Sequence, residues 1–315
     1  MAEASKSTIA LSYDSTAIAE AAALIAAGEP VAVPTETVYG LAADARNPQA
    51  VARIYAAKGR PDFNPLIVHV PDLAAAETLG VFGAVERALA ARFWPGPLTL
   101  VVPRADDCPV ASIATAGLDT IALRVPAHRA MQALLAATGA PLAAPSANAS
   151  GRVSPTKASH VLASLDGRIA LVIDDGPTTA GVESTIARVK DDAVEILRPG
   201  PVTADMLAAA SGKAVTGVKG SEIVAPGMLA SHYAPGKPVR LGAVDFADEE
   251  FAIGFGAVAG DYGLSAAGDL TEAAARLFDA LHAGAASAKA KIAVAVIPVE
   301  GLGAAINDRL SRAAV

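Results

Sequence analysis

Cysteine is almost absent. Cys108 stands alone in 315 residues, which excludes an internal disulfide and any cysteine-rich zinc site. Histidine is scarce too, and His69, His128, His160, His232 and His282 are too scattered to argue for a metal. Aromatics make up 4% and charged residues 18%. The apolar fraction, 53%, is rich in alanine, and no run approaches the roughly 18–20 uncharged apolar residues a bilayer requires. The opening MAEASKSTIALSYD has neither the basic start nor the apolar stretch of a secretory signal. GxxxxGKS, GxxxxGKT, HExxH and GxSxG are all missing, so any nucleotide is not held by a P-loop. Net charge is −7, and acid exceeds base in both 1–210 and 211–315. Stable non-specific binding to nucleic acid would work against that field. A cytoplasmic enzyme is the expectation.

What remains is ample chain for one large or two ordinary domains. Apolar periodicity predicts a helix over Ser15–Ala27 and a short buried strand over Val31–Val33. A second helix opens at Asn47-Pro48, an N-cap followed by proline at the first helical position, and closes at Gly59. Further strands are expected at Leu66–Val70, Leu98–Val102, Thr120–Val125, Leu142–Ala144 and Ala170–Ile173. An antiparallel pair is expected at Ser184–Val189 and Ala193–Leu197. Intervening helices are expected over Asp72–Ala91, over Ala127–Thr138, from about Pro155 and from Thr203. The class is α/β: a twisted, mixed parallel and antiparallel sheet flanked by helices. From 211 to 238 periodicity fails, which reads as a linker between a domain at 1–210 and a small α/β unit at 239–315. That unit reads βαβα and Rossmann-like, with Phe251–Val258, Thr271–Ala283, Ile292–Val299 and Leu302–Ala313 as its elements. Gly254 and Gly256 fall inside its first strand and do not form GxGxxG.

Two stretches could carry chemistry. KGRPDFNPLIVH places Lys58 and Arg60 on a rigid corner between helix and strand, where they either cap the helix or meet an anion. PSANASGRVSPT carries Ser146 and Asn148 on a strand-to-helix loop. Its Ser154-Pro155 reads as an N-cap whose free N–H groups suit an anion or nucleotide. Capping accounts for Ser154 but not for Ser146 or Asn148, which lie too far upstream. Arg124, in the apolar run TIALRV, needs a partner. Glu36, Glu183 or a ligand carboxylate would each serve. His69 reads most simply as a satisfied strand-end residue, and Ser184-Thr185 as a turn-to-strand junction. Together with Arg198 before Pro199-Gly200, these polar strand ends are what a binding crevice at a sheet edge would produce.

The ordered motifs PTETVYGLAAD, KGRP with NPLIVHV, FWPGPLTLVV, ALRVP, PSANASG, ESTI and RPGP resemble the YrdC-like domain. APGMLASHYAP and the trailing α/β unit resemble the two-domain form of the threonylcarbamoyl-AMP synthases. The resemblance implies L-threonine, bicarbonate or CO2 and ATP as substrates, with Mg2+ on the phosphates. It implies threonylcarbamoyl-AMP and pyrophosphate as products. Transferase proteins would then pass the group to adenosine 37 of tRNA. Matched by motif, Lys58, Arg60, Ser146 and Asn148 fall around the phosphates. Thr35, Thr37, His69, Arg124 and Ser184 fall around threonine. Asn64, Thr120, Ser154, Arg198 and the linker residue Tyr233 supply further ATP contacts. Where some relatives carry basic residues before the linker HY, this chain has Leu229-Ala230-Ser231.

No strong general base is needed on this reading, because the threonine carbamate is already an anionic nucleophile. Positioning and charge neutralisation carry the reaction. Lys58→Ala is expected to abolish turnover with the fold intact, and residues 215–238 are expected to act as a lid. The rival expectations are a carbamoyl-phosphate-using enzyme, a double-stranded RNA-binding or ribosome-maturation module, and a structural adaptor.

Overall fold

The computed structural model describes residues 7–60, 64–217 and 233–315. Among them, eleven strands form one sheet and four form another. Across the large sheet the order is Ile9–Ser12, Leu171–Asp174, Val31–Pro34, Tyr39–Asp44, Leu142–Ala143, Ile67–His69, Thr120–Arg124, Leu98–Pro103, Thr185–Lys190, Ala193–Arg198 and Val215–Gly217. Parallel and antiparallel neighbours mix: Ile67–His69 runs parallel to Thr120–Arg124, while Leu98–Pro103 runs antiparallel to it.

The helix Pro48–Lys58 forms for the local reasons its sequence suggests. Asn47 accepts from the N–H groups of Gln49 and Ala50, and Pro48 occupies the first turn. Gly59 ends it at φ +59°, and the N–H of Arg60 returns to Tyr55 O. Its inner face, Val51, Ile54 and Tyr55, joins the main core with Leu66, Val68, Leu100 and Leu123.

Several expectations are corrected. Asp72–Ala91 is not one helix but two, Leu73–Glu77 and Ala84–Phe93. Between them Gly80 bridges Arg104, so close that a Cβ there would sit 2.5 Å from Val102 Cγ2. Tyr39–Asp44, for which no element was expected, is a strand; its residues are almost all buried, so no polar alternation marks it. The edge strand Ile9–Ser12 carried no expectation. The expected linker begins with a strand instead, since Val215–Gly217 pairs with Ala193–Arg198. Residues 218–232 of the expected lid, and Pro61 and Asp62 of the corner, lie outside the described residues.

The helix expected from Pro155 starts at Ala158, with Lys157 as its extended N-cap. The carbonyls of Pro155 and Thr156 are taken by the N–H groups of Tyr39 and Thr178, which hold that segment extended. Ser154 is therefore not a cap.

The smaller sheet is wholly parallel, in the order Val239–Ala243, Lys291–Ala295, Glu250–Gly254, Tyr262–Gly263. Helices Leu270–Ala286 and Gly303–Ala313 accompany it. Gly256 lies past the strand, not in it, at φ +59°. Phe278, Leu281, Ile292 and Leu310 build its core, which extends to Val38, Val153 and Val182 of the larger unit. Gly181 marks that seam: at φ +70°, a Cβ on it would lie 2.3 Å from Ala274 O of the helix opposite. No helix among the described residues is long and apolar enough to cross a membrane.

Candidate active site

The sheet register gathers the polar strand ends. His69 and Arg124 are direct partners at the C-terminal ends of parallel strands. Leu98 pairs with Thr185, which brings Ser184 to the same end, and Arg198 closes the strand antiparallel to Thr185–Lys190. A cleft opens there. Thr35, Thr37, Arg60, His69, Arg124, Ser146, Ser184, Arg198 and Tyr233 all line it, and so does Glu183. Nine of the fourteen residues expected at the site therefore share one wall system. Among the described residues, three guanidinium groups and one carboxylate line the cleft, in a chain of net charge −7.

Arg124 is buried and donates from Nη1 to Thr37 Oγ1 at 3.0 Å and from Nε to Gly96 O at 3.2 Å. Its Nη2 lies 2.7 Å from Glu36 Oε1, yet neither atom makes a directed hydrogen bond. Of the three partners left open by the sequence, Glu36 is the internal one. Thr35 Oγ1 meets Thr37 Oγ1 at 2.8 Å and donates to Val38 O, fixing the loop that carries Glu36. Arg198 donates twice to Ser184 O and once to Ser184 Oγ, at 3.0–3.2 Å. His69 is held neutral: burial, with the Arg124 charge adding to it, lowers its pKa to about 3. Burial also lowers the Arg60 pKa to about 10 and draws Arg198 down. A bound anion would relieve both groups.

Lys58 stands behind the cleft rather than in it. Its Nζ donates to the carbonyls of Ser146 and Asn148, each at 2.5 Å, so two of its three donors tie the helix end to the PSANASG loop. Burial, with Arg60 adding to it, pulls its ammonium well below the usual range. Lys58→Ala is therefore expected to loosen this loop as well as to lower turnover. Asn148 spends its amide N–H on the carbonyls of Ala149 and Arg152, bracing the same loop, and its buried Oδ1 has no partner among the described residues. Asn64 is fully buried with neither side-chain atom hydrogen-bonded among them. Unpartnered buried groups of this kind cost about 1–3 kcal/mol each.

Two expected residues are placed differently. Ser154 is buried and donates to Glu183 Oε1 at 2.5 Å. Thr120 opens the strand that Arg124 ends, roughly 13 Å along it. It pairs with Pro103 at the far end and is not brought to the cleft.

Arg309 was not anticipated at all. It comes from the last helix, is 0% exposed, and donates from Nε to Glu183 Oε2 at 2.8 Å. Burial alone would raise the Glu183 carboxyl, but Arg309, Arg198 and the Ser154 hydroxyl outweigh it and hold its pKa at about 2. No local signal links positions 183 and 309; in the sequence Glu183 stood out only as one candidate partner for Arg124.

A family model for the Sua5–YciO–YrdC domain, described as "Telomere recombination", matches residues 23–200. A second, described as "Threonylcarbamoyl-AMP synthase, C-terminal domain", matches residues 202–315. The chain is 41% identical to a threonylcarbamoyl-AMP synthase of Bacillus subtilis, over 96% of this chain and 94% of that protein. It is 45% identical to one of Pyrococcus abyssi, over 70% of this chain and 66% of that protein. Among solved structures it is similar to P. abyssi Sua5 complexed with L-threonine, at a TM-score of 0.89 and 36% identity, covering 98% of each chain.

Proposed function

The chain belongs to the threonylcarbamoyl-AMP synthase family, and from that membership we propose that it joins L-threonine, bicarbonate or CO2 and ATP into threonylcarbamoyl-AMP and pyrophosphate. The observation that carries this reading is the single cleft in which Arg60, Arg124 and Arg198 converge with Thr35, Thr37, His69, Ser146 and Ser184. It offers cations for a triphosphate beside a small polar pocket for a zwitterion.

In this reading Arg124 grips the threonine carboxylate. Its contact with Glu36 is close but undirected, so a substrate carboxylate with bidentate geometry displaces it. Thr35, Thr37 and Ser184 read the remaining polar atoms, and neutral His69 offers a donor or acceptor without adding charge. Threonine's neutral amine attacks the carbon of CO2, releasing a proton, or that of bicarbonate, expelling water, and either route gives the carbamate anion. A carbamate oxygen then bonds to the α-phosphorus, and the bond to the bridging oxygen breaks to release pyrophosphate. Arg60 and Arg198 neutralise the phosphates as planar forks. Lys58, Ser146 and Asn148 fix the loop against which the phosphates lie, and Asn64, Ser154 and Tyr233 complete the nucleotide's surroundings.

Mg2+ is expected with the nucleotide, but the nearby carboxylates fit it poorly. Glu183 is engaged by Arg309 and Ser154, and Glu36 by the N–H of Ala127 and the charge of Arg124. Water and phosphate oxygens are its natural ligands here. The product would pass to transferase proteins that complete threonylcarbamoyladenosine at position 37 of tRNA in the cytoplasm. Pyrophosphate release from ATP tests the reading: it should require threonine and bicarbonate together. Release that is indifferent to threonine would refute it.

A further inference from the structure

The C-terminal unit reaches the wall of the cleft through a buried side chain. Arg309 sits on the helix Gly303–Ala313, fully enclosed, with its guanidinium carbon 5.4 Å from the Tyr233 ring centroid. Tyr233 lines the cleft and stacks on Phe278 of the C-terminal core, with centroids 5.3 Å apart. Arg309 Nη1 donates to Asp308 Oδ2 at 2.7 Å, and Nε donates to Glu183 Oε2 at 2.8 Å. The other Glu183 oxygen takes the Ser154 hydroxyl, and His282 Nε2 lies 3.1 Å from Ser154 O. One unbroken chain of contacts therefore runs from the last helix to the cleft wall. The docking is tight, since the loop bearing Glu183 meets the opposite helix at Gly181, where no Cβ fits.

Glu183 is out of place in a cleft for phosphates. Left alone, a buried carboxylate there would repel the nucleotide and compete with it for Arg198, whose fork now rests on Ser184. We propose that Arg309 is a positioning residue for the adenylation site. By pairing with Glu183 it cancels that charge, fixes Ser154, and leaves Arg60 and Arg198 available to the phosphates. The C-terminal unit thus contributes to nucleotide affinity without touching the reacting atoms. This inference rests on the cleft's assignment to ATP.

The test uses the full chain, with Arg309→Met, Arg309→Lys and the double variant Arg309→Met/Glu183→Gln. Each is assayed for KM of ATP and of threonine from pH 6 to 8.5. Besides Arg309, the charged and titratable groups facing Glu183 are Arg198, Lys58 and Tyr233. Arg309→Met is expected to raise the ATP KM at least tenfold at pH 8, with the threonine KM within about twofold. The defect should shrink as pH falls and Glu183 takes up a proton. Arg309→Lys, which keeps the charge, should recover most of the affinity. The double variant should bring the ATP KM to within threefold of the parent and flatten the pH profile. Equal defects in single and double variants, or a fall in kcat alone with a flat profile, would mean a merely structural clamp and overturn the proposal. Should Arg309→Met not fold, the double variant still decides, because its charge balance is intact. Tenfold weaker ATP binding by folded double variant overturns the proposal. A parent chain that fails to consume ATP with threonine would count against the assignment of the cleft instead.

Discussion

Replacing Lys58 by Met removes an ammonium that holds two carbonyls, Ser146 O and Asn148 O, each at 2.5 Å. Charge-assisted bonds of this kind contribute about 1.5–3 kcal/mol each, so the gross loss is about 3–6 kcal/mol. Part of it returns, because the variant no longer buries an ammonium. A net destabilisation of about 2–4 kcal/mol follows, a large share of a typical stability of about 5–15 kcal/mol. For a domain of this size that corresponds to a Tm roughly 5–15 °C lower. Denaturant titration read by intrinsic fluorescence should show a lower midpoint with little change in slope. ATP-dependent turnover should fall at least 100-fold, since the loop carrying Ser146 and Asn148 loses its tether. An unchanged midpoint with turnover lost would show that the ammonium serves the phosphates and not the loop. A lower midpoint with full turnover would remove it from the site's support altogether.

Two further outcomes follow from the same geometry. Arg124→Ala should raise the threonine KM about 10- to 100-fold, the equivalent of one charge-assisted pair, with a smaller change for ATP; steady-state kinetics in which the threonine KM does not move would take Arg124 out of the carboxylate role. Acidification should destabilise the chain through His69 and His160, whose pKa values burial lowers to about 3 and about 4, with Arg124 and His282 respectively adding to the shift. Their stabilising contribution is complete above the unfolded value near 6.5. It is lost as pH falls toward those folded values, at up to roughly 1.4 kcal/mol per pH unit per histidine. Urea midpoints at pH 7, 6 and 5 should decline in that order, and a flat series would contradict the buried neutral state.

What the sequence disclosed was chiefly what local chemistry decides. Asn47-Pro48 and Gly59 marked both ends of a helix because capping and the left-handed turn need those residue types there. The polar ends at His69, Arg124, Ser184 and Arg198 stood out against apolar strands, and the register then brought them together. Tyr39–Asp44 hid because burial on both faces erases alternation. Ser154 was misread as a cap because its neighbour Pro155 gives its carbonyl to Tyr39, a distant strand that no local pattern announces. Lys58 stood out in the sequence, but which oxygens it would hold depended on a loop 88 residues away. The Arg309–Glu183 pair spans 126 residues, so it forms only once the chain has folded and no local pattern announces it.

The most direct measurement is mass spectrometry of the reaction of this chain with ATP, threonine and 13C-bicarbonate. The account predicts one adduct containing AMP, a single threonine and the labelled carbon, appearing in step with pyrophosphate. Pyrophosphate or AMP formed without that adduct, or an adduct lacking the label, would contradict it.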